Sequence, residues 1–165
     1  MTDRSVPYNH RNCQSLFGYA QLIHERSKYR CELCGCGGTP PDFDLWRQFT
    51  VEHLVGESQG GYLRELRTAV AARFPDLAPD ERAKLVAEID AANTVTACSF
   101  CNSTTSRDRH SRDMTALLSV PGGPDELLAA IQRELTEILE RKRQDVRWKL
   151  ASVRAAFQQL LVQAS

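Results

Sequence analysis

The sequence has no apolar run of about 18 residues, so a transmembrane helix is excluded. It has no excess of either charge: 21 Lys+Arg stand against 21 Asp+Glu. A protein held to nucleic acid by bulk charge would be basic, so any such attraction must come from local patches. The opening residues, Met1 to His10, contain no apolar core, so no secretory signal is expected and a cytoplasmic location is. Internal repeats and low-complexity segments are missing too. What remains, 165 residues with 42% apolar and 25% charged, reads as one ordinary globular domain.

The chain divides by its breakers. Residues 1–30 form an N-terminal helical segment, with a helix expected from Asn12 to Arg30 on the spacing of Leu16, Ala20 and Ile23. Cys31 to Gly38 is too rich in Cys and Gly for a regular element, and Pro40-Pro41 makes a loop. Aromatic and β-branched residues predict a strand over Phe49–Val55, ended by a turn from Gly56 to Gly61. A helical insert, about 62–92, follows. Tyr62, Leu66, Val70 and Phe74 mark one helix stopped by Pro75. Pro79 opens a second, which ends near Asn93. Thr94 to Ala97 is a second short strand, and helix is expected from Cys101 to about Leu118. After Pro121-Gly122-Gly123-Pro124, the extension over 124–163 has no proline or glycine past Pro124. Leu128, Ile131, Leu135 and Ile138 keep one helical spacing. Val146, Leu150, Val153, Phe157 and Leu160 resume it after a phase shift, which predicts a bend or a change of packing partner.

Six cysteines in a chain expected to be cytoplasmic suggest metal ligands or free thiols before disulfides. Cys31-Glu32-Leu33-Cys34 and Cys98-Ser99-Phe100-Cys101 are two C-x-x-C pairs, 63 residues apart. Two such turns close one tetrahedral zinc site, here clamping distant parts of the chain. A redox pair would want a thioredoxin-like βαβ context, which is not seen; buried free cysteines are the bland alternative. Cys36 lies near enough to compete but is set aside, and Cys13 is assigned to the core.

Between and after the pairs lie Val51-Glu52-His53, Ser58-Gln59-Gly60-Gly61, Asn93-Thr94-Val95 and Asn102, nine residues beyond Asn93. Singly, each is a surface charge, a core histidine or a cap. Together, and in this order, they resemble the HNH endonuclease family over about Cys31 to Arg112. The resemblance implies an α+β, mainly helical protein. Its ββα-metal core would occupy 31–119, with structural Zn²⁺ on Cys31, Cys34, Cys98 and Cys101. It also implies hydrolysis of DNA phosphodiester bonds, with duplex DNA as partner. His53 would be the general base that activates water. Glu52 and Asn102 would hold a catalytic Mg²⁺ or Mn²⁺, and Asn93 would brace the loop and orient His53 through a backbone carbonyl. Three departures stand out: Glu52 where Asp is commoner, Thr105 where Lys is frequent, and the long insert before Asn93.

Arg107, Arg109 and Arg112, with His110, are candidate phosphate contacts on the helix after Asn102. A second basic group, Arg141, Lys142, Arg143, Arg147 and Lys149, is as readily a solvated face. The C-terminal stripe allows a homodimer through paired helices. The main rival is a non-catalytic zinc-stabilised DNA-binding module, which would not need Glu52, His53 and Asn102 together. A zinc deaminase would want H-x-E and P-C-x-x-C with an open zinc position. A helical assembly protein leaves the Glu-His pair without a reason.

Overall fold

The computed structural model of the chain describes residues 8–55, 59–105 and 114–163. Among these the arrangement is α+β and mainly helical, with one two-stranded sheet. A short 3₁₀ turn, His10–Asn12, precedes α1 (Tyr19–Arg26). The helix expected from Asn12 is therefore shorter at both ends. Gly18, at φ +63, breaks the chain direction before Tyr19. Beyond Arg26, Lys28 and Tyr29 both sit at positive φ (55 and 54), a conformation that costs a side-chain-bearing residue about 1 kcal/mol or more. That double left-handed step turns the chain into the cysteine loop.

After α2 (Phe43–Trp46), capped by the Asp42 side chain, come β1 (Phe49–His53), α3 (Gln59–Arg73), α4 (Pro79–Asn93) and β2 (Thr94–Cys98). The breakers act where expected. Pro75 lies two residues past α3, and Pro79 opens α4, where Glu81 accepts from the Ala78 N–H. The strands pair antiparallel, from Phe49 with Cys98 to His53 with Thr94. The two insert helices are thus strung between the strands of one hairpin. α5 (Ser99–Thr105) follows β2 directly, then α6 (Met114–Leu118) and α7 (Pro124–Gln163). The helix expected from Cys101 to Leu118 is seen at its two ends; the stretch between lies outside the described residues.

The hairpin joins two apolar clusters. Leu66, Ile89, Leu117, Leu127, Ile131 and Ile138 build the first around the insert helices, with Leu54 and Val95 from the hairpin. Leu16, Leu33, Phe49, Ala97 and Val146 build the second around Cys31, Cys98 and Cys101. Each fully buried Leu or Ile contributes about 1.5–3 kcal/mol by leaving water. α7 spans both clusters. Its phase shift is a change of packing partner within one continuous helix: Ile138 closes the first cluster, Val146 enters the second, and buried Lys142 fills the step between. Leu127 rather than Leu128 heads the buried stripe. Past Leu150 the helix leaves the body, and residues 151–163 are exposed.

Candidate metal centre and active site

Cys31 to Cys36 form a tight knuckle. The Gly35 N–H donates to the Cys31 carbonyl and the Cys31 N–H to the Cys36 carbonyl, both at 2.8 Å, while Arg30 bridges to Gly37. Gly37 has no substitute: at φ +90, a Cβ would lie 2.4 Å from the Tyr29 carbonyl oxygen. Glu32 ties the knuckle to β2. Its N–H donates to the Thr96 carbonyl and its Oε2 accepts from the Thr96 N–H, both at 2.8 Å.

β2 ends on Cys98 and α5 begins at once, so the second C-x-x-C pair is carried to the knuckle by the hairpin itself. The Cys98 N–H donates to Cys31 Sγ at 3.3 Å, and the Cys34 and Cys98 sulfurs stand 3.9 Å apart. With Zn–S near 2.3 Å, two thiolates on a tetrahedral ion stand about 3.8 Å apart. Cys101, three residues past Cys98, is fully buried in the same cluster as Cys31 and Cys98. Cys31, Cys34 and Cys98, three of the four residues taken from the sequence, stand with Cys36 within 4.8 Å of one another, close enough to hold a metal ion such as zinc. All-thiolate donors suit a closed structural site. Cys36, set aside on the sequence, is the fourth member of that group, in the place expected for Cys101. Contact with Cys101 above all drives the Cys31 thiol toward thiolate and lowers Cys98 to about 3. Contact with Cys31 holds Cys36 and Cys101 protonated. Cys13 stays outside, half-buried against the second cluster.

His53 sits at the other end of the hairpin. Its ring meets Tyr62 edge-on, with centroids 5.3 Å apart. Burial pushes the imidazole below its ordinary value, and the negative charge of Asp90 opposes that shift. Asp90 is itself held by the Tyr19 hydroxyl, which donates to both carboxylate oxygens at 2.9 and 2.8 Å. Burial raises the Asp90 carboxyl above the usual range. His53 Nε2 and the Tyr62 hydroxyl are buried and have no hydrogen-bond partner among the described residues.

Asn93 is fully buried and braces the loop, but two residues beyond His53. Its Nδ2 donates to the Val55 carbonyl at 2.8 Å and its Oδ1 accepts from the Val55 N–H at 2.9 Å. Its own carbonyl accepts from the Leu54 N–H at 2.9 Å. The brace was expected on His53; it falls on Val55 because Asn93 ends α4 just where β2 begins.

Glu52 and His53 are neighbours on a strand, so they face opposite sides of the hairpin. Glu52 turns toward α7, where the Lys142 ammonium donates to its Oε1 at 2.6 Å; the two side chains are 8% and 5% exposed. Lys142 also donates to the Thr105 carbonyl at 3.4 Å. Asn102 is half-buried on α5, its side chain without a hydrogen bond among the described residues. Arg107, Arg109 and Arg112 lie outside those residues, as do His110 and Ser58, while Gln59, Gly60 and Gly61 open α3.

The second basic group is not a uniform solvated face. Besides Lys142, Arg143 donates to the Glu32 carbonyl at 2.8 Å, and Lys149 donates to the Thr104 carbonyl at 2.8 Å and pairs with Asp145. These side chains fasten α7 to the knuckle and to α5. Sequence reasoning named Lys142 only as one of a basic group and missed its pairing with Glu52, along with Glu32 and the Tyr19–Asp90 pair. The signal for Lys142 was a cation on the buried stripe of an otherwise aliphatic helix; Glu32 and Asp90 left none.

No family model matches the chain, and no curated protein or solved structure matches it either. Among the described residues, no helix is long and apolar enough to cross a membrane.

Proposed function

We propose that the chain is an HNH-type endonuclease that hydrolyses phosphodiester bonds of DNA, built on a ββα-metal core with a structural zinc. The observation that carries this reading is the buried imidazole of His53 at the end of β1. Its hairpin runs straight into α5 at a thiol cluster, and its following loop is pinned by Asn93. An imidazole kept neutral by burial is in the state that takes a proton from water. Asp90 carries the opposing charge that would stabilise the imidazolium once formed. Thiolates on zinc would hold the hairpin and α5 in fixed relation.

A divalent cation on Glu52 and Asn102 belongs to the same reading, and their oxygen donors suit a hard ion. The arrangement described here does not fit one. The Lys142 ammonium is already at Glu52 Oε1, and a second cation there would meet it in a buried setting. The reading therefore rests on His53 and the braced hairpin, and no step is drawn through a divalent ion. Duplex DNA as substrate, phosphate contacts from Arg107, Arg109 and Arg112, and a cytoplasmic location rest on the sequence. A homodimer through Val153, Phe157 and Leu160 is supported by their exposure on α7.

The test is cleavage of supercoiled plasmid and of a panel of genomic and modified DNAs, in Mg²⁺, Mn²⁺ or EDTA, by wild type and His53→Ala. Cutting by wild type alone is expected. Binding by both without cutting on any DNA would favour the zinc-stabilised binding module.

A further inference from the structure

One tetrahedral zinc takes four ligands, and this centre offers five thiols. Cys31, Cys34 and Cys98 are common to two overlapping sets. With Cys36 they form the group in which every sulfur lies within 4.8 Å of every other. With Cys101, fully buried in the same cluster, they form the pair of C-x-x-C turns. Cys36 does not point away as a packing residue would. Cys34 Sγ donates to its sulfur at 3.3 Å, a half-ångström inside the roughly 3.8 Å separation of two thiolates on one zinc. The backbone enforces this. Gly35 and Gly37 flank it at φ +82 and +90, and the loop is tied back where the Gly38 N–H donates to the Tyr29 carbonyl at 2.9 Å.

We propose that Cys36 and Cys101 are interchangeable fourth ligands of one zinc ion, on a common base of Cys31, Cys34 and Cys98. In the exchange, the Zn–S bond to Cys101 breaks as the bond to Cys36 forms. The Cys36 thiol gives up its proton and the Cys101 thiolate takes one, so charge and zinc count are unchanged. The two states differ in what the ion grips. Cys101 lies on α5 with Asn102 and Thr105, whereas Cys36 belongs to the knuckle. Exchange to Cys36 frees α5 from the metal while β2 stays bound through Cys98. This inference does not depend on the nuclease reading.

The experiment loads the full chain with Zn²⁺ or Co²⁺ and compares wild type with Cys36→Ala, Cys101→Ala and the double variant. The readouts are metal per chain, affinity against a competing chelator, and the intensity of the thiolate-to-cobalt charge-transfer band. Each single variant is expected to keep one ion, a four-thiolate spectrum and affinity within about tenfold of wild type. The double variant should show three thiolates and lose on the order of a hundredfold more. If Cys101→Ala already behaves like the double, Cys36 is no ligand; if Cys36→Ala does, Cys101 is none. Either result overturns the proposal, as does a wild type that holds no metal. Should Cys101→Ala fail to fold, the rate of zinc loss decides. Cys36→Ala must release zinc to the chelator several-fold faster than wild type, and equal rates overturn the exchange.

Discussion

Lys142 and Glu52, 90 residues apart in sequence, meet at 2.6 Å inside the protein. Lys142 occupies a stripe position of α7 between Ile138 and Val146, where an aliphatic side chain would pack. The pair fixes how α7 lies on the hairpin. Removing one partner of such a pair leaves a buried charge alone and costs about 3–5 kcal/mol, whereas removing both charges costs little. Lys142→Met should therefore lower stability by about 3–5 kcal/mol in urea unfolding, and Glu52→Gln in the same chain should recover most of it. A double variant as unstable as the sum of the singles would show that the two charges are not coupled.

The same pair sets the divalent-ion chemistry of Glu52. With the ammonium in place, Mn²⁺ must compete for the carboxylate. Lys142→Met should bind Mn²⁺ at least about tenfold more tightly than wild type by calorimetry, since one unit charge beside the ion is removed. Glu52→Gln should abolish the gain. Equal affinity in wild type and Lys142→Met would sink the competition.

Removal of zinc should act unevenly. The thiols sit in the second cluster with Phe49, Leu33 and Val146, and Trp46 packs beside it against Phe17, centroids 5.7 Å apart. The first cluster, with Ile89, Leu135 and Leu117, contains no cysteine. Chelation should raise the solvent exposure of Trp46, read by acrylamide quenching, in a variant with exposed Trp148 changed to Phe. Amides of α4 and the first half of α7 should stay protected from hydrogen exchange. Loss of protection in both halves together would mean that the two clusters unfold as one unit.

The elements were legible because their signals are local. Pro75, Pro79 and Pro124 punctuate helices, and β-branched runs mark two short strands. Three of the clustered cysteines, Cys31, Cys34 and Cys98, were legible from the C-x-x-C spacing; Cys36 was not, because the turn at Gly35 and Gly37 that brings it in is set by backbone conformation. Glu52 was not. Its residue type says carboxylate and its neighbour says active site, but its environment is set by a helix 90 residues downstream. Gly18 likewise gave little warning that the first helix starts late, since the apolar spacing of Leu16, Ala20 and Ile23 continues across it. The brace of Asn93 was foreseen in kind and misplaced by two residues, because the partner of a buried amide is decided by where α4 meets β2.

His24 carries a pH dependence that can be read separately from that of the thiols. It is fully buried, with Nε2 on the Ser15 carbonyl at 2.7 Å and Nδ1 against Thr96 Oγ1 at 3.0 Å. Burial lowers its pKa from 6.5, only partly offset by the bond to Ser15. Between the lowered folded value and 6.5, the unfolded chain binds more protons than the folded one. Stability from this group is therefore complete above about 6.5 and is lost as pH falls toward and through the folded value. Between pH 7.5 and 5.5, zinc-loaded wild type should lose more stability than His24→Gln. The difference isolates His24, since both proteins share the same thiolates and His53. Parallel curves would mean that His24 titrates normally in the fold.

Asn93 commits both ends of its side-chain amide to one residue. Its amide makes both bonds to Val55 in a site closed to water, so Asn93→Ala leaves the Val55 N–H and carbonyl unpaired. At about 1–3 kcal/mol per orphaned buried group, the loss should be about 2–4 kcal/mol, because the loop relaxes in part. Asn93→Asp is the sharper probe. It keeps an acceptor for the Val55 N–H and sets a carboxylate oxygen against the Val55 carbonyl where a donor stood. If the brace holds the loop after His53, Asn93→Asp should lose at least as much stability as Asn93→Ala. The His53 ring resonances in NMR should shift in both variants. A shift in stability with unmoved His53 resonances would confine Asn93 to the fold and separate it from the base.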